Sequence, residues 1–211
     1  MADDGHINDA ALVRRISQVL LSPECQRINF RFGRQHISAK AYRAVVFALI
    51  ESRISLFEAD GGAHKLNDDV EALYKGGSET MIIRPRLNLG KVSNRRTIVH
   101  EATHAIQDAQ LAGVWVWSLD EEATAYIAEW LYVIHSSPNV DHLRNYPDPH
   151  QPIDVIALEI AFSLVRKPAA APDAAAMRRL GNAIYANPTY SVRMLLHPWT
   201  RDDGVPEPEF P

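Results

Sequence analysis

The chain has 211 residues, 46% hydrophobic and 23% charged, which is long enough and apolar enough for one filled core. Its net charge of −4 argues against a nucleic-acid platform, which needs a basic face, and no apolar run approaches the length that spans a bilayer. The single cysteine, Cys25, rules out an internal disulfide, and Met1-Ala-Asp-Asp-Gly lacks the basic start and apolar core of a signal peptide. Synthesis and residence in the reducing cytoplasm are therefore expected, with export by a route that needs no such signal left open.

In chain order, an apolar-periodic helix is expected over residues 9–21 (Leu12, Val13, Ile16, Val19, Leu20), ending near Pro23. Ile28 to Phe32 alternates like a short strand. Ser38 then caps a helix through Ala41, Val45, Ala48 and Ile50. Ile54 to Phe57 is either a strand or the tail of that helix. Tyr74 to Ile83 reads as a hairpin turning at Gly76-Gly77, with Met81-Ile82-Ile83 as its second strand. Next comes a helix capped by Ser93 or Asn94 and stopped near Gly113, with Ile98, Val99, Ala102, Ala105, Ile106 and Ala109 on its apolar side.

Another helix opens at Ser118, where Ser118 and Glu121 have the spacing of a capping box, and it runs to about residue 136. Two more helices are expected near 153–166 and 173–186, split by a Pro/Ala segment. Residues 1–8 and 200–211 read as disordered. The whole is a single α+β domain, mostly helical, with a small sheet or hairpin beside the helix that Ser93 or Asn94 caps. There is no internal repeat.

That helix carries His100-Glu101-Ala102-Thr103-His104. Histidines four residues apart stand one above the other on one helix face and can grip a single metal ion. The glutamate beside the first histidine can serve as general base for a water that the metal activates. A hydrolytic zinc site needs three protein ligands and one open position. Downstream carboxylates offer the third ligand: Asp108, Asp120, Glu121, Glu122 and Glu129. Asp108 would place three ligands in one straight row, a poor tetrahedral arrangement. Glu121 has a capping role, which leaves Glu122 as the favoured ligand, with Glu121 and Asp108 as alternatives.

The pairing of His100-Glu101-x-x-His104 with Glu122-Ala123-Thr124-Ala125-Tyr126 on the next helix resembles the gluzincin branch of the zincin metallopeptidases. The resemblance implies a zincin-like fold, Zn2+ held by His100, His104 and Glu122, and Glu101 as the catalytic base. It also implies a protein or peptide substrate paired along a strand edge, for which the hairpin at 74–83 is the candidate. Ala125 matches a small residue that packs on the metal helix. Tyr126 stands where the family commonly has an aspartate that orients a histidine ligand, so its phenol is the candidate for that hydrogen bond. The longer metzincin pattern is absent, with Gln107 and Gln110 at its glycine and third-ligand positions.

The reading is a zinc metallopeptidase with no nucleic-acid partner and no membrane span. The alternatives are a zincin fold that binds without catalysis, and a helical protein with a coincidental motif. His135, His142, His150 and His197 lie outside ligand spacing and read as surface or loop residues. Tyr126, Tyr132, Tyr185 and Tyr190 read first as packing residues and second as partners for a tetrahedral intermediate. Trp115, Trp117 and Trp130 cluster near the connection between the two helices, as core or cleft wall.

Overall fold

A computed structural model describes residues 8–62, 64–67, 70–111, 115–139, 143, 151–188, 190 and 199–201, and gives side-chain surroundings for all of these except 115–118 and 199–201. Helix α1 spans Ala10–Leu20, where Asp9 accepts from the Leu12 backbone N–H at 2.7 Å and so caps the first turn. Its stripe of Leu12, Val13, Ile16, Val19 and Leu20 is buried. The chain is ordered one residue earlier than the sequence suggests. Asn8 is buried, and its amide donates to the carbonyls of Leu49 (2.7 Å) and Ile54 (2.8 Å) and accepts from Leu56 N–H at 2.6 Å. One side-chain amide thus satisfies three backbone groups that would otherwise be buried without partners.

Strands β1 (Asn29–Phe32) and β2 (Gln35–Ser38) form an antiparallel hairpin with Asn29 opposite Ser38. Its two-residue turn is permitted by Gly33 at φ +55°. β2 was not foreseen in the sequence, where Ser38 reads only as a cap. Ser38 does precede α2 (Ala39–Ile50), but its side chain makes no capping hydrogen bond.

The open choice at Ile54–Phe57 is settled as strand β3, Ser55–Glu58. β3 lies parallel to β5 (Thr80–Ile83), which pairs on its other side with antiparallel β4 (Ala72–Lys75). The expected hairpin is therefore present, turning through Gly76–Ser78, and β4 is an edge strand packed beside the next helix. All four residues of the central strand β5 are buried, as the apolar run Met81-Ile82-Ile83 requires of its last three.

Helix α3 spans Val92–Leu111. It begins before the expected caps, so Ser93 and Asn94 sit inside its first turn, and Asn94 reaches back to the Asn88 carbonyl at 3.0 Å. Strand β6 (Trp115–Trp117) leads directly into α4 (Ser118–Ser136), and α5 (Pro152–Arg166) and α6 (Ala174–Ala186) follow. Helix α4 packs against α3, α5 and α6, and its Ile127, Ala128, Trp130 and Leu131 are buried.

β6 pairs antiparallel with β7 (Trp199–Arg201), so Thr200 and Arg201, expected to be disordered, belong to a strand. The long sequence separation of this pairing hides it from any local reading. Residues 1–7 and 202–211, Gly113, and the side chains of Ser118, Trp115, Trp117, His142, His150 and His197 lie outside the described residues. The architecture is mixed α+β and mostly helical, with three small sheets among the described residues. No helix among them is long and apolar enough to cross a membrane.

Candidate metal centre

Helix α3 buries an unusual set of polar side chains: His100, Glu101, Thr103, Gln107 and Asp108. Such groups are costly to bury unless each finds a partner. The Thr103 hydroxyl donates to the Val99 carbonyl at 2.8 Å and shares a 2.8 Å hydrogen bond with the Tyr42 hydroxyl. One oxygen of Glu101 accepts from the Tyr74 N–H of β4 at 2.7 Å, while the Tyr74 hydroxyl donates to Asp108 at 2.8 Å. The edge amide that could have met a substrate strand at Tyr74 is thus committed to Glu101.

The two histidines are oriented from behind. His100 Nδ1 lies 3.0 Å from Glu129 of α4, whose other oxygen meets Arg96 at 2.9 Å. Arg96 also lies over the Trp130 ring, 5.1 Å from its centroid, and Trp130 donates from Nε1 to Asp154 of α5 at 2.9 Å. His104 Nδ1 lies 2.9 Å from Gln107 Oε1. Gln107 turns its amide nitrogen toward the Glu121 backbone carbonyl (3.1 Å) and Gln35 Oε1 (3.0 Å). A backbone carbonyl only accepts, so it fixes the Gln107 amide, and the amide oxygen in turn fixes the proton of His104 on Nδ1. Both imidazoles are thereby left with Nε2 as the nitrogen that could ligate a metal.

Those two nitrogens converge on Glu122. His100 Nε2 is 3.5 Å from Glu122 Oε2 and His104 Nε2 is 3.8 Å from Glu122 Oε1. All three ligand atoms fall within 4.8 Å of one another. Ligands held roughly 2.0–2.2 Å from one tetrahedral zinc stand roughly 3.3–3.6 Å apart, a span that the two histidine–carboxylate distances approach. Two imidazoles and a carboxylate are also the donor chemistry that zinc accepts.

The electrostatics follow from burial and carboxylate crowding. Burial pushes Glu101 up to about 7, with Glu122 and Glu129 adding to the rise and His100 and the Tyr74 N–H opposing it. Burial alone would lower His100, but hydrogen bonding to Glu122 and Glu129 carries it well above the ordinary histidine value. Burial would likewise raise Glu129, yet His100 and Arg96 hold it below the ordinary glutamate value. A metal cation would occupy the position where a proton on His100 Nε2 otherwise meets Glu122.

The remaining expected residues fall as follows. Asp108 is turned to Tyr74 and is not among the three converging ligands. Glu121 contributes its backbone carbonyl to Gln107. The Tyr126 ring stands edge-on to His100 with centroids 5.0 Å apart, but its hydroxyl goes to the Tyr190 hydroxyl at 2.8 Å. The histidine-orienting carboxylate is instead Glu129, one helical turn beyond Tyr126. Glu129 lies two turns from Glu122 on the same face, a spacing the sequence did carry. Arg96, one turn before His100, and Gln107, one turn after His104, carried the same signal. Gln35 and Tyr190 had no local signal, since other segments bring them in. The chain matches no family model, no curated protein and no solved structure.

Proposed function

We propose that the protein is a zinc-dependent peptidase of zincin-like design. His100, His104 and Glu122 hold the metal, and Glu101 is the catalytic base. The observation that carries this reading is the convergence of two imidazole Nε2 atoms and one carboxylate beside a buried glutamate titrating near neutrality. A zinc ion bound there supplies Lewis acidity, polarising a peptide carbonyl and acidifying water.

Glu101, whose carboxyl burial raises to about 7 in the metal-free chain, is the buried carboxylate suited to proton transfer beside the three converging groups. It takes a proton from the attacking water and returns it to the leaving amine nitrogen as the C–N bond breaks. Its hydrogen bond to Tyr74 N–H holds one carboxylate oxygen in place. Glu129 and Gln107 keep the histidines aimed. The Tyr126 ring stands against His100 and its hydroxyl pairs with that of Tyr190 at 2.8 Å, which makes these two phenols the candidates to donate to a developing oxyanion. Substrates of this reaction are proteins or peptides.

The test is zinc content by elemental analysis, followed by cleavage of a peptide library by the wild type and by Glu101→Gln. About one zinc per chain and a drop in turnover of about 100-fold or more in the variant are expected. A zinc-loaded wild type that cleaves nothing would leave a binding module in place of an enzyme. A variant as fast as the wild type would remove Glu101 from the role of base.

A further inference from the structure

Helix α2 turns a solvent-exposed face outward, formed by Lys40, Arg43, Ala44, Phe47, Ile50 and Glu51. Phe47 and Ile50 are 58% and 60% exposed. They are two of the five large apolar side chains left exposed among the described residues, and they stand one turn apart on one helix. Beside them a pocket of ≈ 590 Å³ opens between α2 and α3, lined by Ala44 and Ala48 on one side and by Ala105 and Ala109 on the other. An exposed aromatic ring thus stands next to a hollow walled by small residues.

The spacing of that face is symmetric. Lys40, Ala44, Phe47 and Glu51 follow one another at steps of four, three and four residues, the seam spacing of paired helices. Reversing the chain direction maps this stripe onto itself. An antiparallel copy sets Ala44 opposite Phe47 and Lys40 opposite Glu51, so that small meets large and cation meets anion, each twice about a two-fold axis.

The helix dipole points the same way. A helix favours anions in its first turn and cations in its last, and α2 has neither. It carries Lys40 in its first turn and Glu51 at its C-cap, each at the disfavoured end. An antiparallel neighbour reverses both effects, because Lys40 then lies by that helix's negative end and Glu51 by its positive end. A parallel neighbour would set like charges together. Glu51 meets Arg53 through one oxygen at 2.8 Å, in a pair whose side chains are 61% and 57% exposed, and such a surface pair holds it weakly.

We propose that this face of α2 is a self-association surface. Two copies pair their α2 helices antiparallel, with the two-fold axis at the level of Val45 and Val46. Each Phe47 packs on the other copy's Ala44 at the mouth of the pocket, and each Lys40 meets the other copy's Glu51. None of His100, Glu101, His104 or Glu122 lines that pocket, so pairing does not depend on a bound metal. A helix of 12 residues presents less than the roughly 800 Å² per partner of a standard interface, which puts the dimer in the transient class, with Kd between about 10 µM and about 1 mM.

Sedimentation equilibrium of the full-length protein across that concentration range is the test. Wild type should pass from monomer to dimer. Phe47→Ala, which trims an exposed side chain, should weaken association by about 30-fold or more, as losing two packed rings implies. Lys40→Glu and Glu51→Lys should each weaken it by about tenfold, since each creates two like-charge contacts in the dimer. The variant carrying both changes should associate within about threefold of wild type, because the pairs are restored with their signs exchanged. Lys40→Glu should also leave the melting temperature of the monomer unchanged or higher, since a carboxylate suits the start of a helix, so its lost pairing is not misfolding. A wild type that stays monomeric throughout the range would overturn the proposal and leave the face to a different occupant. Association that survives Phe47→Ala, or a double variant no better than the single ones, would overturn it as well.

Discussion

At the scale of single residues, the site is governed by which nitrogen of each histidine faces Glu122. Gln107 and Glu129 decide that by holding Nδ1 of His104 and of His100. Glu129→Gln and Gln107→Leu should each weaken zinc binding by roughly 10–100-fold, the usual worth of groups that orient metal ligands. Chelator competition measures this, and unchanged affinity in both variants would show that the histidines need no orientation from behind.

Glu101 gives a second prediction, with an unusual sign. In metal-free protein its carboxyl titrates at about 7, above the ordinary 4.5 expected on unfolding. The native state therefore keeps a proton that the unfolded chain has lost, and stability falls as pH rises from 4.5 through 7. His100, also raised, contributes stability below its unfolded value of 6.5 that is lost as pH rises through its folded value. Metal-free Glu101→Gln should thus be more stable than wild type at about pH 8 and lose that advantage by about pH 4. Urea midpoints across this range decide it, and parallel curves for the two proteins would count against the raised carboxyl.

At the scale of elements, two anchoring devices at the start of the chain can be ranked. Asp9 accepts one hydrogen bond at an exposed helix start, whereas Asn8 satisfies three buried groups, in α2, in β3 and at Ile54 between them. Asp9→Ala should cost about 1 kcal/mol, as lost N-caps do. Asn8→Ala should cost about 2–4 kcal/mol because it strands two carbonyls and an N–H in the interior. Chemical denaturation of both variants tests the order, and a larger effect at Asp9 would mean that water reaches the backbone groups Asn8 now serves. The amphipathic helices were readable because their apolar faces are local patterns. β2 and β7 were not, since each is a short segment with little signal of its own, completed by a partner strand.

At the scale of the molecule, the three candidate ligands come from two packed helices, so a bound metal should tie α3 to α4. A metal held by the native state alone stabilises it by RT ln(1 + [L]/Kd), about 4 kcal/mol when free zinc is 1,000 times Kd. Zinc should therefore raise the melting temperature of wild type and fail to do so in Glu122→Ala. Glu121→Ala should keep the zinc response. A zinc response lost in Glu121→Ala and retained in Glu122→Ala would reverse the ligand assignment. Zinc should also bind more weakly in acid, because it must displace a proton from the His100–Glu122 contact.

The sequence by itself determined what depends on spacing along one helix. Two histidines and a glutamate on α3, a carboxylate-bearing helix after it, and a hairpin before it all follow from periods of 3.6 and 2 and from turn chemistry. Only the tertiary structure decided what depends on distance through space. It placed Glu122 within reach of both Nε2 atoms, gave the orienting task to Glu129 in place of Tyr126, and turned Asp108 toward Tyr74. It also brought Gln35 and Tyr190 from remote segments to the same site. The physical reason is that a helix fixes the direction of its own side chains within a turn or two, while the partner each one meets is set by how separate elements pack.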